Sequence, residues 1–298
     1  MAAVNYSPSK IDLFFPARRG HFFEGITPND ESALCAEFCR LAYSRTEPRF
    51  SFDQADINNA LQAINFSVAP NDFIESRGTP DGIGTHCFIA ANDAKKVMIV
   101  AFRGTDAGDH TDVHDDADLL QQDWDKGGRV HTGFADALGQ VRAELLPALA
   151  NPKYEKYRKI FAGHSLGAAL ATLLASIQKP DRLFTIGSPR VGDAAFVATL
   201  NGVNSTRYVD CSDLVTRVPP ENLGLLHYAH VGPMIYIDRK GAIHANPDEA
   251  FVTTDRLEAA AQYLVEYAWK VGNVALRELA DHTPYNYTEA IKANQRGA

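Results

Sequence analysis

Apolar positions recur along the chain at two different periods, and the switches between them divide it into elements. Residues 1–28 show neither period and are interrupted by Pro8, Pro16 and Pro28. Asn29-Asp30 then offers a helix N-cap, and Leu34, Phe38, Leu41 and Ala42 recur at helical spacing up to Tyr43. Residues 51–69 read as a weaker helix followed by a strand, which Pro70-Asn71-Asp72 should break. Residues 85–90 and 97–102 are β-rich runs joined by the polar stretch 91–96, the pattern of a hairpin.

From residue 97 onward strands and helices alternate. The spacing predicts a helix over 132–149, with Phe134, Leu138, Val141, Leu145 and Leu146 on its core face. A short strand at 159–162 precedes an almost wholly apolar helix over 166–177. Further strands are predicted at 183–186, 206–209 and, last, 234–237. A long helix over 254–280 carries Leu257, Ala261, Leu264, Ala268, Val271 and Ala275 at its repeat. Such alternation means an α/β fold, a mostly parallel sheet with helices on both faces. No Gly/Ser-rich or Pro-rich linker divides the chain, so residues 1–298 are read as one domain.

The 19 residues from 160 to 178 carry no formal charge, enough to raise a membrane-spanning reading. His164, Ser165, Thr172, Ser176 and two bracketing glycines instead favour a strand, a sharp turn and a buried helix. Composition is that of a globular protein: 45% hydrophobic and 22% charged. Lys+Arg 29 against Asp+Glu 37 leaves a charge of −8, which argues against nucleic-acid binding and gives no general attraction to anionic membranes. Cys35, Cys39, Cys87 and Cys211 are too few for a disulfide scaffold, and reduced buried thiols favour the cytoplasm. Residues 1–20 hold no apolar signal-peptide core, in line with that expectation, although removal of such a peptide would leave secretion open.

Candidate chemistry centres on Gly163-His164-Ser165-Leu166-Gly167, a G-x-S-x-G pattern between a predicted strand and a predicted helix. Small flanks let a serine occupy a strained turn with its hydroxyl above the strand ends, near the positive end of the helix. In this context the chain resembles the class 3 lipase family of α/β-hydrolases, related to fungal triacylglycerol lipases. The resemblance spans residues 85–293 through several motifs in order: Val100–Thr105, Val130–Phe134, the serine pentapeptide, Gly187-Ser188-Pro189-Arg190-Val191-Gly192, Asp213-Leu214-Val215 with Pro219-Pro220, and Asp281-His282 with Tyr285. Residues 1–84 match mainly as a helical cover.

The resemblance implies a serine ester hydrolase, most simply a lipase acting on acylglycerols, with no cofactor and no metal. Its triad order is Ser, acid, His, which makes Ser165 the nucleophile. Of the downstream acids Asp193, Asp210, Asp213 and Asp238, the family pattern selects Asp213, leaving Asp210 a structural role at the strand end. Of His227, His230, His244 and His282, it selects His282. The N–H groups of Leu166 and Thr105 are the implied oxyanion donors. His164 is read as a pocket-wall residue, and Arg103, His131 and Arg190 as structural.

Residues 106–128 are implied as the lid. This segment holds eight aspartates up to Asp125, with only Val113, Ala117, Leu119, Leu120 and Trp124 to make an apolar face; Val113 and Leu119 are taken as substrate-contacting. Lipid-interface contact through the lid is a further expectation. Three alternatives stand beside the lipase. One is an esterase for short-chain or aromatic, feruloyl-type esters. Another is a metallohydrolase built on His110, Asp112, His114, Asp115 and Asp116. The third is a non-catalytic scaffold, disfavoured because all three triad residue types are present.

Overall fold

A computed structural model describes residues 4–26, 30–46, 51–76, 84–105 and 120–295. Eight strands form its central sheet: β1 (Ser67–Glu75), β2 (His86–Asn92), β3 (Val97–Phe102), β4 (Arg158–His164), β5 (Arg182–Ile186), β6 (Ser205–Asp210), β7 (Met234–Ile237) and β8 (Ile243–Ala245). They lie side by side in chain order. β3 to β7 are mutually parallel, while β1, β2 and β8 are antiparallel to their neighbours.

The period-2 pattern of the strands decides which side chain meets which layer. In β3, Ile99 and Ala101 face a layer in which α2 (Glu31–Leu41) and α3 (Gln54–Gln62) supply Phe38, Leu41, Ile57 and Leu61, whereas Leu13 of the short α1 (Lys10–Phe14) packs in a separate cluster with Tyr263. Met98, Val100 and Phe102 face the opposite layer, α4 (Thr132–Leu149) and α5 (Leu166–Ile177). The short α6 (Ala194–Thr199) adds Phe196 there. α7 (Glu249–Glu266), α8 (Arg277–Ala280) and α9 (Pro284–Ala293) close the fold, with Tyr287, Ala290 and Ile291 joining the α2 layer. Residues 160–178 are the end of β4, a turn and the 12-residue α5; among the described residues no helix is long and apolar enough to cross a membrane.

Four expectations need correction. Pro70-Asn71-Asp72 does not end β1: the strand runs through it with a register irregularity between Val68 and Phe73, tolerable because β1 is an edge. The stretch expected as a helical cover therefore contributes a strand to the central sheet. β7 is not the last strand, since β8 pairs with it across a turn held by Asp238, whose carboxylate accepts from the N–H groups of Lys240 and Ala242.

The long helix over 254–280 is two helices. α7 stops at Glu266, and the chain turns through Gly272, at φ +91°, before α8 begins. The apolar repeat is largely solvent-facing: Leu257 is 69% and Leu264 62% exposed. The buried face is instead Val252, Asp255, Ala259 and Tyr263. Polar anchors set that orientation. The Asp255 carboxylate accepts from Tyr236, Cys211 and Arg239, and the Tyr263 hydroxyl donates to the Val274 carbonyl at 2.7 Å.

Candidate active site

β4 ends at His164 and α5 begins at Leu166, so Ser165 carries the whole change of direction at φ 58° and ψ −128°. A left-handed conformation is costly for a residue with a side chain, and it persists only where the surroundings impose it. Here the Ser165 N–H is tied to the Ile186 carbonyl at 3.1 Å. A Cβ on Gly163 would lie 2.1 Å from the Gly167 carbonyl oxygen, and one on Gly167 would lie 2.4 Å from that of Phe102. Both glycines are thus required by close backbone approach. At the start of α5 the N–H of Leu166 has no carbonyl one turn earlier to bond, which leaves a donor beside the serine.

The turn presents the Ser165 Oγ to His282 Nε2 at 2.9 Å. On the far side of the ring, His282 Nδ1 lies 2.9 Å from Asp213 Oδ1 and 3.0 Å from Oδ2. A carboxylate only accepts, so Nδ1 carries the proton and Nε2 is left to accept from the serine hydroxyl. Asp213 and His282 are both buried. Three residues far apart in sequence therefore form one hydrogen-bonded line. Asp213 follows β6 in a tight turn, where its N–H bonds the Asp210 carbonyl and its Oδ1 accepts from the Val215 N–H at 2.9 Å.

The other acids are occupied. Asp193 caps α6 by accepting from the Phe196 N–H, and Asp238 accepts from His244 Nε2 at 2.8 Å. Burial, reinforced by the charges of Asp281 and Asp213, pushes the Asp210 carboxyl well above the ordinary carboxylate range. Among the remaining histidines, His227 meets Asn222 on the surface, and His230 donates to the Thr216 carbonyl at 2.9 Å. Burial and the nearby Arg207 and Arg190 hold His230 well below its usual range, so it is a neutral structural donor.

Gly104, which precedes Thr105 in the chain, lies against Ser165: a Cβ on Gly104 would sit 2.9 Å from the Ser165 Cβ. His164 differs from its expected place. Only 2% exposed, it does not line an open wall but is held between the Tyr43 hydroxyl at 2.7 Å and the backbone carbonyl of His282 at 2.8 Å. Trp124 also departs from expectation. Its indole N–H donates to Ser176 Oγ on α5, and Gln121–Asp123 pairs with Arg129–His131 as a small ribbon, so residues 120–128 pack on the body. Val113, Leu119 and the His110–Asp116 cluster lie outside the described residues. Among the described residues there is no group of three or more metal-ligating side chains.

Supporting residues missed by sequence reading come from both chain ends. The Tyr6 hydroxyl and the Ser212 N–H both donate to the Asp281 carboxylate, which also pairs with Arg277 at 3.0 Å. Thr283 Oγ1 donates to the Asp12 carbonyl, and Asn286 exchanges bonds with the backbone of Ser7. The N-terminal segment thereby clamps the loop that carries His282. These contacts join residues some 270 apart, and no local sequence pattern marks them.

The strand order and the helix layers on both faces are those of the α/β-hydrolase fold. Residues 99–223 of the chain match the lipase (class 3) family, in agreement with the resemblance of the motifs. It is 33% identical over 170 residues to secreted mono- and diacylglycerol lipase 1 of Fusarium solani, covering 54% of this chain and 49% of the relative. It is 32% identical over 161 residues to a lipase of Rhizomucor miehei, covering 48% and 43%. The chain spans about half the length of these curated relatives. In structure it resembles the Rhizomucor miehei triacylglyceride lipase with a TM-score of 0.59 at 20% identity, over 86% of this chain and 96% of that one.

The cytoplasmic expectation is contradicted by these relatives, since those from Fusarium solani and Penicillium cyclopium are named as secreted lipases. The four thiols do not speak for a reducing compartment. All are free and buried, and burial pushes Cys35, Cys39, Cys87 and Cys211 upward, which keeps them inert without a reductant.

Proposed function

We propose that the chain is an extracellular serine carboxylic-ester hydrolase that acts on acylglycerols through an acyl-enzyme on Ser165. The observation that supports this reading most strongly is the continuous line from Ser165 Oγ through His282 to Asp213, with steps of 2.9 Å. In this reading His282 Nε2 takes the serine proton as Oγ attacks the ester carbonyl. The N–H groups of Leu166 and Thr105 stabilise the oxyanion. His282 then protonates the departing alcohol and afterwards deprotonates the water that releases the acid.

Asp213 holds the imidazole in the required tautomer and offsets its positive charge in the transition state. Interfacial contact belongs in this reading to residues 106–119, whose aspartates resist leaving water and keep contact with anionic lipid weak. A panel of p-nitrophenyl esters from two to sixteen carbons, with tributyrin and triolein emulsions, tests the proposal. Turnover of both the soluble esters and the emulsions is expected. Absence of turnover throughout the panel would overturn it, and turnover confined to soluble esters would favour an esterase.

A further inference from the structure

We infer that Tyr287 is a positioning residue for the Asp213 carboxylate, an assignment that rests on the triad reading above. Asp213 Oδ1 is held twice, by His282 Nδ1 and by the backbone N–H of Val215. Oδ2 has its shortest bond, 2.6 Å, to the Tyr287 hydroxyl. That phenol oxygen also accepts the N–H of Asp210, the last residue of β6, at 2.9 Å. With its acceptor side occupied by a backbone donor, the single O–H of Tyr287 is directed at Asp213.

The arrangement fixes the carboxylate from its own turn, from the base and from α9. Tyr287 and Asp213 are fully buried, where an additional donor to a carboxylate is strong because no water competes for it. Burial, with the charges of Asp213 and Asp210, pushes the phenol well above its ordinary range, so it stays a donor throughout the working pH range. The connection to the base is short in sequence as well. His282 and Tyr287 are separated only by Thr283 and the first turn of α9, so one short stretch carries both side-chain partners of Asp213. The Tyr285 hydroxyl, three residues after His282, is used elsewhere: it meets Asn5 at 2.8 Å and Arg19 at 3.2 Å.

A double-mutant cycle on p-nitrophenyl butyrate, with thermal unfolding in parallel, separates positioning from packing. Tyr287→Phe keeps the ring and is expected to lower kcat about tenfold with KM within about twofold. In an Asp213→Asn background the same substitution should change kcat by less than about twofold, because the phenol acts through the carboxylate. An equal fold loss in both backgrounds, or no loss in the parent, would overturn the inference. If Tyr287→Phe does not fold, fluorinated tyrosines at 287 keep the hydroxyl and grade its acidity. Their kcat values should then be ordered by phenol acidity, and a flat series would count against positioning. Should Asp213→Asn alone keep full activity, the triad reading itself fails, whatever Tyr287 does.

Discussion

His164 Nε2 donates to the backbone carbonyl of His282 at 2.8 Å, so the residue before Ser165 holds the residue whose ring faces the Ser165 hydroxyl. The carbonyl accepts only, which leaves His164 Nδ1 to accept from the Tyr43 hydroxyl at 2.7 Å. Replacing the ring by Phe removes one hydrogen bond each from a buried carbonyl and a buried hydroxyl. His164→Phe should cost about 1–3 kcal/mol, from two lost buried hydrogen bonds at about 0.5–1.5 kcal/mol each. It should also lower kcat by about tenfold or more through displacement of His282. Urea unfolding and kcat on a soluble ester measure the two effects. Retention of both would place His164 outside the support of the site.

The orientation of α7 can be tested by contrast. Leu264→Lys, on its exposed apolar stripe, should change stability by no more than about 0.5 kcal/mol. Tyr263→Ala, one residue earlier on the buried face, should cost about 3–5 kcal/mol, since it removes an aromatic core side chain and unpairs the Val274 carbonyl. Chemical denaturation of the two variants decides. The opposite order would mean that the stripe from Leu257 to Ala275 faces the core after all.

Acid sensitivity should depend measurably on His86. Burial and the nearby Arg103 push its pKa down from 6.5 to about 3. Below pH 6.5 the unfolded chain therefore binds a proton that the folded chain refuses, and stability falls as pH drops toward the folded value. At about 1.4 kcal/mol per pH unit, this group alone should remove about 2 kcal/mol between pH 7 and pH 5. His86→Phe, beside Phe52, carries no such proton and should lose about 2 kcal/mol less over that interval. Unfolding free energies of both proteins at the two pH values provide the check. Equal pH dependence would show that His86 titrates normally in the folded state.

Elements whose burial is decided by the local period were legible in the sequence. β3, α4 and α5 lie where the pattern put them, because each has a continuous apolar face that only the sheet or its cover can bury. The strand–turn–helix around Ser165 was legible for a related reason: Gly163 and Gly167 mark backbone contacts that tolerate no Cβ. α7 buries a face other than its apolar repeat, because periodicity reports which face is apolar, not which face is docked. Asp255 and Tyr263 orient that helix through partners distant in sequence.

Within the candidate site, the G-x-S-x-G context pointed to Ser165 and the family resemblance to Asp213 and His282, but nothing local pointed to the surrounding hydrogen bonds. Tyr43 reaches His164 across 121 residues of chain, Tyr287 reaches Asp213 across 74, and Tyr6 reaches Asp281 across 275. Such contacts exist only once the sheet has assembled. The cytoplasmic expectation failed on a simpler point, since an unpaired cysteine that is fully buried needs no reducing compartment.

The central claim is that Ser165 is the nucleophile that forms the acyl-enzyme, and active-site titration tests it most directly. The protein is treated with diethyl p-nitrophenyl phosphate while p-nitrophenol release, intact mass and residual tributyrin hydrolysis are followed together. One p-nitrophenol and one diethylphosphoryl adduct per chain are expected, on the peptide containing Ser165, with activity falling in proportion. Ser165→Ala should take up no label and should lose about 10⁶-fold in kcat while keeping its circular dichroism. Stoichiometric labelling at another residue, or a folded Ser165→Ala that still hydrolyses tributyrin at more than a few per cent of the parent rate, would contradict the account.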